Sequence, residues 1–384
     1  SGYLHTTKCN HGVMRRRTFV SVAGGSLAAL SGCLGNGGEN GNGNGGNGDS
    51  TDSRDATETE DGGTATPVED PTITIATYDS FVDGEDPVGP WLKSEFEAEY
   101  DATVEFRTPS SGINQYIQRA QQGAEIDVDL YVGLNVDELI RIDEQLDSAL
   151  FDSLDGEIDG SDRVRDELRF DPDGRAIPYD TGYISLVYDE REVTPKTFED
   201  LTDPENAGEL IVQNAQQSDP GVAFLLWTIH EFGADGYLDY WSDLQDNDVR
   251  VLGSWDDAYN AYLNEEASMV VSYSTDQVYY GDQPRHQVGF LNDQGYAQPE
   301  GMARFADAPN PDAARELMEF MLRPDVQGVI AQKNVQFPAV ADADLDEEFD
   351  AVAHVPPEPV TFGYDELAGN LDGWIEAWAR QIVG

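Results

Sequence analysis

Two cysteines occur, Cys9 and Cys33, and both fall within the first 33 residues. The rest of the chain therefore holds no disulfide framework, no thiol nucleophile and no Cys-type zinc site. Lysine is almost as scarce, with only Lys8, Lys93, Lys196 and Lys333. Lys and Arg together number 22 against 75 Asp and Glu, a net charge of −53 spread along the whole length. So acidic a chain has little with which to neutralise phosphates, which excludes nucleic acid as a partner. Past the N-terminal segment the histidines are His230, His286 and His354, far apart and without ligand spacing. No HExxH, GxSxG or GxxxxGK[ST] motif and no Cys–His pair is present, and nothing marks two carboxylates as a glycosidase pair. These absences argue against an enzyme. They also leave no metal and no cofactor to expect. The one N-terminal apolar run, from Val20 to Leu30, is too short to cross about 30 Å of hydrocarbon.

What the N-terminal segment does contain is ordered. Met14 precedes Arg15, Arg16, Arg17, Thr18 and Phe19, then the apolar run, then Leu30-Ser31-Gly32-Cys33. A charged head, a short apolar run and small residues before a cut site describe an export signal. The Arg16-Arg17 pair resembles a twin-arginine signal. Leu-Ser-Gly-Cys resembles a lipobox, with Cys33 as the lipidated mature N-terminus. Residues 1–33 are thus expected to be an upstream extension plus a twin-arginine lipoprotein signal. Residues 34–69 are Gly/Asn-rich and then acidic, with too few apolar side chains to form a core, and read as a disordered tether. A coil of about 35 residues reaches roughly 30–35 Å. Abundant acid with scarce lysine resembles proteins of high-salt organisms, where a Debye length of about 3 Å screens self-repulsion.

About 315 residues remain, enough for two lobes rather than one core. Aromatics at 10% and periodic apolar segments mark that part as folded. TITIAT (Thr72 to Thr77), TVEFRT (Thr103 to Thr108) and Val128 to Val132 read as strands separated by helical patterns, an order that implies a parallel sheet. Ligands bind such sheets beyond the carboxyl ends of the strands. The run from Ile177 to Asp189, with Gly182 inside it, is long enough to cross between lobes. Leu210 to Val212 and Val249 to Leu252 are further short strands, and helices are expected over Asp312 to Leu322, Asp325 to Ala331 and Gly369 to Ile382. Val270 to Tyr280 (VVSYSTDQVYY) begins as a buried strand and ends in hydroxyls, a carboxylate and aromatic rings, the composition of a cleft edge.

YDSF (78–81), PYDTGYISLVYD (178–189), SDPGVAFLLW (218–227), GSWDDAY (253–259), SMVVSYSTDQVYY (268–280) and NVQFPAV (334–340) carry a resemblance that spans 72–384. The chain resembles the solute-binding lipoproteins of ABC importers, and among them the thiamine-binding proteins. That resemblance implies an α/β, two-lobe periplasmic-binding-protein-like fold of type II. Each lobe would be a mostly parallel sheet flanked by helices, with the ligand cleft between. Lobe 1 would be 70–180 with about 300–384, and lobe 2 would be 181–299. It implies capture of thiamine or a thiamine phosphate by hinge closure and delivery to membrane permease subunits. The protein would act as a monomer, lipid-anchored on the outer face of the cell membrane. By position, the ligand-binding residues would be Tyr78, Ser111, Gly112, Ser218, Asp219, Trp255, Tyr273, Ser274, Thr275, Asp276 and Tyr279. Thiamine carries a permanent positive charge and a flat aminopyrimidine, which aromatic rings and carboxylates suit. The bacterial thiamine binders carry an acidic residue where Ser111 stands, a tryptophan near 85–87 and an aromatic where Val335 stands.

Two other binders compete. The adjacent Tyr279 and Tyr280 with nearby acids suit ferric iron held by tyrosinates, and acid-and-aromatic cages suit a polyamine.

Overall fold

The computed structural model describes residues 70–84 and 86–383. The signal, Cys33 and tether expected over 1–69 lie outside the described residues. Among the described residues eleven strands join one sheet. They are β1 (Thr72–Ala76), β2 (Thr103–Arg107), β3 (Leu130–Leu134), β4 (Ala176–Tyr188), β5 (Leu210–Gln213), β6 (Arg250–Leu252), β7 (Met269–Tyr273), β8 (Gln287–Gly289), β9 (Gln294–Arg304), β10 (Phe337–Pro338) and β11 (Glu358–Val360).

β-Branched, alternating sequences build the two ends of this sheet. β1 pairs in parallel with β2 and β3, and β5 pairs in parallel with β6 and β7. Helices connect these strands, as parallel crossovers require. The two parallel groups are joined by antiparallel pairings along the order β3-β9-β4-β7. β4 is the expected crossing run, buried along nearly all of its length. Its partner β9 has no counterpart in the periodic pattern, because Gly295, Pro299 and Gly301 punctuate it like a turn. Close packing explains one of these: a Cβ on Gly301 would lie 2.9 Å from the Phe170 ring.

The helices bury the faces that their spacing marks out. Pro311–Met321 buries Ala313, Leu317, Phe320 and Met321 against Ile73, Leu92 and Phe96 under the first parallel group. Asp219–Asp246, broken at Gly233 where φ is +75°, buries Phe224, Trp227, Trp241 and Leu244 under the second. The last helix, Leu371–Ile382, packs on the second parallel group. Trp378 meets Trp241 edge-on at 5.3 Å and belongs to the second core, so this helix packs with the helix Asp219–Asp246. Sequence order gives no hint of this, because an amphipathic terminal helix fits either core. Among the described residues, no helix is long and apolar enough to cross a membrane.

Candidate functional site

The carboxyl ends of the parallel strands carry the polar and aromatic residues, and β4, β9 and the segment before β10 run among them. Tyr78 follows β1. Its ring lies against Gly133 of β3, where an added Cβ would come within 2.6 Å of the ring. Gly133 has φ +101°, so both its backbone and its missing side chain serve this contact. The Tyr78 hydroxyl accepts from Asn334 Nδ2 at 2.9 Å and lies 3.2 Å from the Tyr179 hydroxyl. Tyr179 donates to Glu300 Oε2 at 2.8 Å, and Asn334 Nδ2 also donates to Asp180 Oδ2 at 2.6 Å. Asp180 is fully buried, and its Oδ1 has no hydrogen-bond partner. Asp180 and Glu300 are direct register partners across β4 and β9. None of the ion pairs among the described residues involves either carboxylate. Burial pushes both carboxyls above the usual carboxylate range, and the Glu300 charge raises Asp180 further.

Tyr273 closes another side. It ends β7 opposite Ile184, and its ring edge and Gln336 Oε1 would lie 2.9 and 2.7 Å from a Cβ on Gly182. Burial raises its phenol, as do the charges of Asp219, Glu300 and Asp180. A further acidic group comes from the helix Val136–Gln145. Glu138 forms a capping box with Asn135 and would stand 3.8 Å from a Cβ on Gly112. Burial first, and then the Asp137 charge, raise Glu138 to about 8. Burial and the Asp219 charge raise Asp137 to about 6, even though Arg141 Nη2 lies 3.2 Å from it. Asp137, Arg141, Ser218 and Asp219 line a cavity of about 650 Å³ that extends to Asp372 on the last helix.

The structure sorts the residues expected from sequence. Tyr78 and Tyr273 share the carboxylate cluster just described. Ser111 is exposed, and Gly112 takes φ +53° at the mouth of the same region. Ser218 is the N-cap of the helix Asp219–Asp246 without a capping side-chain bond, and the Asp219 carbonyl accepts from Gln298 Nε2 at 3.2 Å. Trp255 is part-buried, donates Nε1–H to Ser272 Oγ at 3.1 Å, and stacks on Tyr259. Tyr279 is half exposed.

Ser274, Thr275 and Asp276, which form the loop after β7, are all three buried. One Asp276 oxygen accepts from Tyr259 and the other lies 2.8 Å from His286 Nδ1. This carboxylate is consumed inside the protein, because the turn after β7 points it inward. Tyr280, named with Tyr279 as an iron ligand, stacks on His286 at 3.8 Å. Among the described residues, no group of three or more His, Cys, Asp or Glu is arranged to hold a metal ion.

Sequence reasoning missed Tyr179, Asp180, Glu300 and Asn334. The available signal was Asp180 itself, the lone carboxylate in the crossing strand β4.

A two-group α/β sheet with acidic and aromatic residues gathered at its strand ends defines a ligand-capturing protein. The chain belongs to the bacterial extracellular solute-binding protein family, whose model matches residues 91–357. That is a transport family and not an enzyme family. The chain is 27% identical over 317 residues to the thiamine-binding periplasmic protein of Salmonella typhimurium, covering 81% of this chain and 94% of that one. It is 28% identical to the thiamine-binding periplasmic protein of Brucella suis, covering 80% and 91%. A solved periplasmic thiamin binding protein superposes with a TM-score of 0.67 at 25% identity, over 82% of this chain and 96% of that one. The apo ferric ion-binding protein A of Pasteurella haemolytica superposes at 0.65 with 14% identity, over 81% and 98%, a likeness of fold alone.

Proposed function

We propose that this chain is the substrate-capturing component of an ABC importer for thiamine or a thiamine phosphate. The observation that carries the reading is a pair of carboxylates with no cationic partner, the buried Asp180 and the half-buried Glu300, beside Tyr78 and Tyr273. Such a site lacks a positive charge, and an organic cation would supply it. Each aromatic face adds about 0.5–2 kcal/mol of attraction for such a cation. The names of the relatives point to the same ligand. Tyr78, Ser111, Gly112, Ser218, Asp219, Trp255, Tyr273 and Tyr279 form the contact set in this reading. The first parallel group and the second close on the ligand about β4 and β9. The monomer is held outside the cell by a lipid on Cys33 after twin-arginine export, and no covalent chemistry occurs.

Calorimetric titration of the purified chain in molar salt tests this. Thiamine and its mono- and diphosphate are added first, then spermidine and ferric citrate. Saturable micromolar or tighter binding of a thiamine form is expected. Heat only with spermidine, or a tyrosinate absorbance band with ferric citrate, replaces thiamine with that ligand.

A further inference from the structure

Asp180 and Glu300 face each other across antiparallel strands, where like charges oppose each other directly. The groups around them do not relieve this. From β4 and the loop after β1 come the Tyr179 and Tyr78 hydroxyls, and from the helix Pro324–Asn334 comes the Asn334 amide. From β7 comes the Tyr273 phenol, and from the start of the helix Asp219–Asp246 comes the Asp219 carboxylate, whose charge reaches Glu300. Every titratable neighbour is thus neutral or negative at neutral pH. Asn334 satisfies one Asp180 oxygen, while the other is buried with no donor at all. Two bare charges in that position are costlier than one charge and one neutral carboxyl, because burial penalises an ionised Asp180 and the half-buried Glu300 charge beside it repels it.

We propose that the Asp180–Glu300 pair holds one proton in the empty cleft and releases it when an organic cation settles against Tyr78 and Glu300, so that capture is proton-linked. The step balances. A singly charged pair and a monovalent cation give a doubly charged pair, the bound cation and one proton delivered to solvent. This rests on the cationic-ligand reading above and adds a selection rule to it. A neutral molecule of the same shape does not displace the proton. Affinity climbs with pH by up to about tenfold per unit where a whole proton leaves, and levels off once the empty pair is ionised. Both carboxyls being held above the ordinary range agrees with this direction.

The test is calorimetric titration of the full chain with thiamine in two buffers of the same pH and different ionisation enthalpy. The apparent heats give the protons released. Close to one more proton is expected from the unmodified protein than from Asp180→Asn, and any proton exchange by thiamine itself cancels in that difference. Equal release from both proteins overturns the proposal while leaving thiamine binding intact. If thiamine does not bind, the ligand reading fails, and the empty cleft is tested by thermal melts of the same two proteins against pH. A carboxyl raised on folding contributes stability at low pH that is lost as pH climbs through its folded value. The unmodified protein is therefore expected to lose ground to Asp180→Asn as pH rises above the ordinary carboxylate range, and parallel curves overturn the shared proton. Should Asp180→Asn not fold, Glu300→Gln serves both measurements with the same expectations.

Discussion

Trp255 and Tyr259 lie face to face, their ring centroids 4.8 Å apart and their planes 14° from parallel. One turn of the helix Trp255–Leu263 separates them, so the helix itself sets the stack. Tyr259 is buried, and Trp255 is the outer ring of the pair. Its indole N–H is tied to Ser272, the residue before Tyr273, which fixes the ring against the end of β7. Trp255→Ala is expected to weaken thiamine binding by about 1–3 kcal/mol through lost stacking and cation attraction. Titration calorimetry measures this, with circular dichroism as the check on folding. Unchanged affinity in a folded variant removes Trp255 from the cleft wall.

Asp276 acts on the same wall from behind. It holds the Tyr259 hydroxyl and His286, and it is 5% exposed. Asp276→Asn weakens two charge-assisted contacts, each in the range of about 1.5–3 kcal/mol. The expected outcome is a lower melting temperature of the ligand-free protein, with affinity reduced only as far as the Tyr259–Trp255 stack loosens. A variant that melts normally yet no longer binds would restore Asp276 as a direct ligand contact.

That residue also marks how far the sequence could be read. The parallel strands and their helices were legible because β-branched alternation and apolar spacing are local signals, and the cleft followed from where those strands end. The inward turn of Asp276 was not legible, since a carboxylate after a strand can point either way until the turn is known. The Asp180–Glu300 pair was hidden for a different reason. It exists only through the register of β4 on β9, and β9 is masked by its proline and glycines. Trp378 had the spacing of a buried helix face, but only tertiary packing decides which core receives it.

Gly133 and Gly123 both take a left-handed φ, +101° and +63°, but only Gly133 touches a ring. A Cβ on Gly123 meets nothing within 4 Å, whereas one on Gly133 would lie 2.6 Å from Tyr78. Each alanine substitution costs on the order of 1–3 kcal/mol in backbone strain. Gly133→Ala must in addition push the Tyr78 ring aside, and it alone is expected to lose ligand affinity, by about tenfold or more. Chemical denaturation and calorimetry of the two variants separate the strain from the displacement. Equal affinities would mean that the Tyr78 position does not matter to the ligand.

Glu138 offers a pH dependence with a defined sign. Its carboxyl moves from an ordinary value of 4.5 to about 8 in the folded protein, chiefly through desolvation of a half-buried side chain and then through the Asp137 charge. The folded state therefore binds this proton more tightly than the unfolded chain does. Stability from this group is complete below about 4.5 and is lost as pH rises towards 8. Glutamine keeps the capping geometry with Asn135 but cannot ionise. Glu138→Gln is thus expected to gain on the unmodified protein across that interval, by no more than about 1.4 kcal/mol per pH unit. Denaturant midpoints measured at constant molar salt give the difference curve. A curve that is flat there would show the carboxylate already ionised in the fold, with Arg141, 3.2 Å from Asp137, as the cation near enough to hold it so.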